Sequence, residues 1–241
     1  YAISGKLTKQ LPSDSSVEDL LALIKKEKEK LIAEKKIKAN KTSSYIYKKD
    51  NKWYEEVGGK VVDITEQIPF KIRDNWVWNR MGQVGKISSG LTPNKEAIFT
   101  YSRVDLVPFF KVSSMNDPEN ENILQKTNFY VPNKYKIEYP SIVFPKNGGA
   151  IYTNKRRVLL NNGSIDLNCS YIYPFVFNMF NYLYFWFSNI NLSNFIVGTA
   201  VPTINSSILS NLLLPLPPLE EQQRIVNKLE TVLPLIEKIN K

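Results

Sequence analysis

Residues 217–239 read PPLEEQQRIVNKLETVLPLIEKI. Proline is favoured at the first positions of a helix, and acids are favoured at its positive end. Pro217, Pro218, Glu220 and Glu221 therefore predict a helix opening near Leu219. Ile225, Leu229, Val232, Ile236 and Ile239 then step by 4, 3, 4 and 3, the spacing of an a/d seam. Such a short seam suits either a helix pair or an ordinary amphipathic helix on a core. Pro234 stands off the seam and is expected to kink the helix, because it removes one backbone hydrogen bond.

The N-terminal part is the counterpart of this. Residues 15–39 predict a helix, with Ser15 as N-cap and Glu18 closing a capping box. Val17, Leu20, Leu21, Ile24, Leu31 and Ile32 share one side, and Lys25 to Lys30 form a solvated, mixed-charge face. Lys25/Glu29 and Lys30/Glu34 are i,i+4 pairs. Between the helices the pattern changes to short strands. Tyr45–Tyr47 and Lys52–Tyr54 flank a turn over Lys48–Asn51, as in a hairpin, and Gly58-Gly59 makes a second turn. Trp76–Trp78, Leu106–Phe110 and Ser141–Phe144 are further strand candidates. Tyr171 to Ile190, YIYPFVFNMFNYLYFWFSNI, is strongly apolar. Its Pro174, Asn178, Asn181 and Asn189, without close basic flanks, point to a buried helix rather than a membrane span. These elements predict an α+β fold: a mixed globular domain of short strands and a buried helix, flanked by N- and C-terminal helices. The expected segments are 1–43 (helical), 44–68 (hairpin and linker), 69–215 (globular domain) and 216–241 (helical).

The chain has 241 residues, no histidine and one cysteine, Cys169. That excludes Ser-His-Asp and Cys-His catalysis, histidine-based metal sites and an internal disulfide. No glycine-rich loop for a nucleotide follows a strand, and Gly58-Gly59-Lys60 lacks the spacing of a P-loop. Glu34-Lys35-Lys36 has the order of a nuclease motif but lies in a charge-rich helix. The net charge is +9, and residues 134–160, with six basic groups and one acidic, supply +5 of it. Within that segment Phe144–Ala150 reads as a strand entering a glycine turn, with Lys146 and Asn147 at its tip; Lys155, Arg156 and Arg157 follow. Lys and Arg neutralise phosphates, and Arg and Asn also suit base edges in the major groove. A run of three basic residues is also what a solvated surface carries, but the local +5 and the glycine turn favour nucleic-acid contact. A metal-dependent nuclease domain and a purely structural interaction module stand as alternatives.

Residues 198–205, GTAVPTIN, and 214–226, LPLPPLEEQQRIV, closely resemble the specificity (S) subunit of type I restriction–modification enzymes. There they mark the end of a target recognition domain and the start of a spacer helix. Tyr1–Leu7 with the charged helix after it resembles the end of the central helical region. Ile68–Trp78 resembles the start of a recognition domain. The resemblance covers essentially the whole chain, and its Pro-Leu-Pro-Pro-Leu-Glu-Glu-Gln element is the most specific part.

The resemblance implies a non-catalytic cytoplasmic chain that reads one half of an interrupted DNA site. Its spacer helices, with Ile225, Leu229, Val232, Ile236 and Ile239 as pairing residues, would act as a ruler and dock methyltransferase (M) subunits. Restriction (R) subunits would join for cleavage. S-adenosylmethionine, ATP and Mg²⁺ would belong to those partners, with no cofactor or metal in this chain. The resemblance also places Arg103, Ser113, Ser114, Thr199 and Asn205 on loops beside the DNA. Complete S subunits carry two recognition domains and this sequence carries one, which implies either a fragment of a longer subunit or a half-subunit that forms a homodimer.

Overall fold

The computed structural model describes residues 2–39, 44–198 and 200–239, the last three of these as backbone. In chain order it begins with α1 (Val17–Ala33), β1 (Ser44–Lys49), β2 (Lys52–Val57) and β3 (Lys60–Asp63). Next come β4 (Val77–Arg80), the single turn α2 (Met81–Val84), β5 (Gly85–Ser89), β6 (Leu106–Phe110) and β7 (Tyr130–Pro132). The middle continues with β8 (Ser141–Pro145), β9 (Arg157–Leu159), β10 (Ser164–Ile165), β11 (Cys169–Pro174) and α3 (Phe180–Ser188). The last elements are β12 (Ile196–Val197), β13 (Thr203–Ile204), α4 (Ser206–Ser210), β14 (Leu213–Leu216) and α5 (Leu219–Ile239). The fold is α+β, as the pattern of elements predicts. The chain divides into two compact units.

The first unit comprises Tyr1–Val84, Phe175–Phe187 and Asn211–Lys241. It contains the hairpin segment and both long helices. Asp50 and Asn51 both adopt positive φ between β1 and β2, the geometry of a tight hairpin turn. Gly58 and Gly59, also at positive φ, turn β2 into β3. Helix α1 starts one residue later than expected. Ser16 is its N-cap and Asp19 completes the box, because the Ser15 amide and hydroxyl are both taken by the Glu220 carboxylate at 3.1 and 2.7 Å. It also ends earlier than expected. Glu34 is the C-cap and Lys35 turns left-handed at φ 57°, so the chain leaves the helix without a glycine. Val17, Leu20, Ile24 and Leu31 are its buried stripe.

The three S-like stretches of this unit meet at Glu221, whose residue is fully buried. Its carboxylate accepts from Arg73 Nη1 at 2.6 Å, Trp76 Nε1 at 2.9 Å and Thr8 Oγ1 at 3.0 Å. Arg73 also donates to the carbonyls of Gly5 and Thr8. Strand β14 pairs antiparallel with β4, with Pro215 opposite Trp78. Thus 2–8, 68–78 and 214–226 form one interlocked structure, and a buried carboxylate this well partnered explains why an acid stands at position 221. Arg224 grips Asp14 through two bonds of 2.6 and 2.7 Å. Of the seam, Ile225 is buried, Leu229 and Val232 are half-buried, and Ile236 is exposed. The side chain of Ile239 lies outside the described residues. Helix α5 runs on through Pro234.

The second unit comprises Gly85–Pro174 and Ser188–Ser210. Its main sheet has the order β5-β11-β8-β9, antiparallel throughout. A smaller sheet has the order β10-β6-β7, in which β10 and β6 run parallel. Phe110, Met115, Val143, Leu159, Ile165 and Tyr171 belong to one apolar cluster; Val107, Phe109 and Val131 form a second.

The apolar run 171–190 is not one buried helix. Its first part is strand β11, and only Phe180–Ser188 is an α-helix. Strands and helices buried on all sides are both continuously apolar, so periodicity does not separate them. The alternation in Tyr171-Ile172-Tyr173 and the proline that follows are the strand signals.

Candidate nucleic-acid interface

The register of the main sheet decides what its loops present together. Ser89 at the end of β5 faces Ser170 at the start of β11. Cys169 faces Pro145 at the end of β8, and Val143 of β8 faces Arg157 at the start of β9. One end of the sheet therefore carries the segments 90–92, 146–149, 155–156 and 166–168. Strand β6, parallel to β10, delivers the loop after Phe110 to this end as well.

Backbone bonds fasten these loops to one another. Lys146 N donates to Asn168 O at 2.7 Å, Ile204 N to Lys146 O at 2.9 Å and Gly148 N to Pro202 O at 2.8 Å. Asn147 forms an isolated bridge with Thr203. Asp166, a buried carboxylate, accepts from Val112 N at 3.2 Å and Asn168 N at 2.9 Å, so it ties the loop after β6 to the loop before β11. Gly90 is required here, because a Cβ would run into the backbone carbonyls of Ile165 and Asp166. Burial pushes the Cys169 thiol up, with Asp166 adding to the effect, so the one cysteine is an inert packing residue.

Eight of the ten candidate residues lie at this end. Lys146 and Asn147 are half-buried in the loop after β8. Lys155, also half-buried, donates to Asn116 Oδ1 at 2.5 Å, and Arg157 donates to Met115 O at 2.9 Å. These two bonds hold 155–157 against the helical turn 112–116, which contains Ser113 and Ser114. Ser113 is exposed, whereas the Ser114 hydroxyl accepts from Lys111 N. Among the described residues neither Lys146 nor Lys155 is paired with a carboxylate.

Arg156 and Asn205 lie at this end too, with their side chains engaged in local bonds. Arg156 is buried, and its guanidinium donates to the carbonyls of Asn154, Lys155 and Ile190 at 2.8–3.3 Å. It therefore holds the loop rather than presenting a surface charge. Asn205 reaches this end through its neighbour Ile204, but its Oδ1 accepts from Ser207 N and Oγ as the cap of α4. Arg103 stands before the opposite end of β6, about 17 Å of strand away, in an ion pair with Asp105 at 2.5 Å. Thr199 lies outside the described residues. Three further residues, Asn154, Asp166 and Asn168, belong to the site and are not among the sequence candidates. Asn154 sits at φ 51° and accepts from Leu192 N, fastening the 188–192 loop. An asparagine between a tyrosine-threonine pair and a basic run is its one available signal. Among the described residues no three His, Cys, Asp or Glu side chains group to hold a metal ion, and no helix is long and apolar enough to cross a membrane.

Lysines and amides on loops gathered at one end of a sheet are the elements of a nucleic-acid-reading module. Residues 73–241 match the family model of the type I restriction modification DNA specificity domain, and the chain belongs to that family. It is 24% identical to the type I restriction enzyme EcoAI specificity subunit of Escherichia coli, across 99% of this chain and 39% of that protein. The HsdS subunit from Thermoanaerobacter tengcongensis shares its fold with a TM-score of 0.52 at 19% identity, covering 70% of this chain and 40% of that one. A chain of the type I R-M system solved for its complex assembly and conformational transition gives a TM-score of 0.60 at 16% identity, covering 92% of this chain and 48% of that one. The chain thus spans about two fifths to one half of the relatives it matches.

Proposed function

We propose that this chain reads one half of an interrupted DNA site for a type I restriction–modification complex. The reading face is the loop end of the β5-β11-β8-β9 sheet. One observation carries the reading. Sheet register brings segments from Gly90 to Asn205 to a single end, and two of them, 146–149 and 155–156, come from residues 134–160, which carry +5 of the net charge of +9. There Lys146, Lys155 and Arg157 neutralise phosphates, while Asn147, Asn168 and Ser113 lie beside them to meet base edges. Arg156 positions Lys155 from below.

The chain itself performs no catalysis in this reading. Helices α1 and α5 dock methyltransferase subunits, and restriction subunits join them; S-adenosylmethionine, ATP and Mg²⁺ act in those partners. A second copy of the chain supplies the other half-site if it works as a half-subunit.

The test is salt dependence. Lys146→Ala with Lys155→Ala is expected to weaken duplex binding across all sequences. It should also lower the slope of log K against log[salt] by about 0.9 for each phosphate no longer neutralised. An unchanged slope would remove this face as the DNA surface.

A further inference from the structure

Leu91, Leu167 and Val201 are 55%, 47% and 63% exposed. They come from three loops far apart in sequence, yet hydrogen bonds fasten those loops to one another. Leu91 N donates to Ile165 O at 3.0 Å, and Leu167 N to Thr92 Oγ1 at 3.4 Å. Asn147 Nδ2 reaches the Leu167 carbonyl at 3.5 Å, and the next residue, Gly148, donates to Pro202 O, beside Val201. Single exposed leucines are ordinary. Three exposed aliphatic residues on one fastened loop cluster, with Asn147, Asn168 and Lys146 among them, call for a partner with both apolar and polar features.

The major-groove edge of an A·T pair has that mixture. Adenine offers N7 and N6 to an amide side chain, and thymine offers a 5-methyl group to an apolar one. Guanine is read by arginine or lysine, and here the guanidinium groups of Arg156 and Arg157 already donate to backbone carbonyls. We infer that Leu91, Leu167 and Val201 contact thymine methyl groups, and that the half-site read by this chain contains A·T pairs recognised in the major groove. The inference rests on the DNA-reading face assigned above and adds the identity of the bases.

The experiment selects duplexes from a random library with the 241-residue chain and then replaces thymine by uracil in the enriched site. That exchange removes only the methyl group. Affinity is expected to fall about fourfold for each thymine methyl that the protein covers, the ordinary worth of one buried methyl. In the Leu91→Ser, Leu167→Ser, Val201→Ser variant, thymine and uracil duplexes should bind alike. Lys155→Ala should weaken both duplexes equally and keep their ratio. A thymine-free enriched site, or equal affinity of the unaltered chain for the two duplexes, overturns the inference and leaves the DNA-reading face standing. Absence of any enriched sequence overturns both.

Discussion

The two units both turn arginines toward buried polar groups, and they do so for different ends. In the first unit Arg73 and Arg224 meet carboxylates, Glu221 and Asp14, across more than a hundred residues of sequence. In the second, Arg156 and Arg157 meet backbone carbonyls of nearby loops. A carboxylate partner neutralises the cation and locks distant segments together. A carbonyl partner fixes a loop while the positive charge is kept. The first arrangement suits a clasp that must not open, and the second suits a surface that attracts a polyanion.

Each half of that contrast can be broken separately, because the probes are separate. All four tryptophans, Trp53, Trp76, Trp78 and Trp186, lie in the first unit, and Cys169 lies in the second. The largest effect is expected from Glu221→Ala. It strands Arg73 and the Trp76 N–H, and loss of one partner of a buried pair costs about 3 kcal/mol or more. Tryptophan fluorescence in a urea titration should show the lower midpoint, with thiol labelling of Cys169 hardly moved. Equal shifts in both probes would mean that the units unfold as one.

Arg156→Ala comes next, at about 1–3 kcal/mol for carbonyls left without their donor. It should appear as faster labelling of Cys169 and weaker DNA binding. Arg156→Lys is not expected to restore either, since an ammonium lacks the planar fork. Unaltered labelling and DNA binding in the lysine variant would assign Arg156 to charge alone.

The smallest effect is acid sensitivity of the second unit. Burial opposes ionisation of Glu138, but hydrogen bonds from Lys86 at 2.8 Å and Tyr171 at 2.6 Å outweigh it and hold the carboxyl below its ordinary value. Burial pushes the Tyr171 phenol far up, so it remains a donor. A depressed carboxyl stabilises the fold above its unfolded value and loses that contribution as pH falls through the folded value. The urea midpoint of the second unit, read by circular dichroism, should therefore fall below about pH 4, and Glu138→Gln should flatten the profile. A variant with the same acid limb would place the sensitive group elsewhere.

Local elements are readable where one signal dominates. Leu106–Phe110 is a strand at the bounds expected, and the 44–57 hairpin forms around its Asp-Asn turn. The α1 cap lies one residue from its expected place because Ser15 and Ser16 offer the same side chain; the choice belongs to Glu220, 205 residues away. The 171–190 run departs from expectation because uniform burial erases the period that separates strand from helix. In the candidate site, Lys146, Asn147 and Lys155 are legible as charge and turn chemistry. Asn168 and Asp166 are not, because nothing local distinguishes them. Their neighbours at the sheet end, Pro145 and Phe110, lie more than twenty and more than fifty residues before them along the chain.

By itself the sequence determined the class of the chain. The lack of histidine, the Pro-Pro-Leu-Glu-Glu helix start and the basic segment 134–160 are one-dimensional facts. They follow from residue chemistry and short spacing, which survive without coordinates. Only the tertiary structure decided which cations face outward. Arg156 and Lys155 are adjacent and equally basic on paper. Sheet register buries the first on carbonyls and leaves the second at the open end beside Asn116. Strand pairing is a long-range choice, and it separates neighbours in sequence into interior and surface.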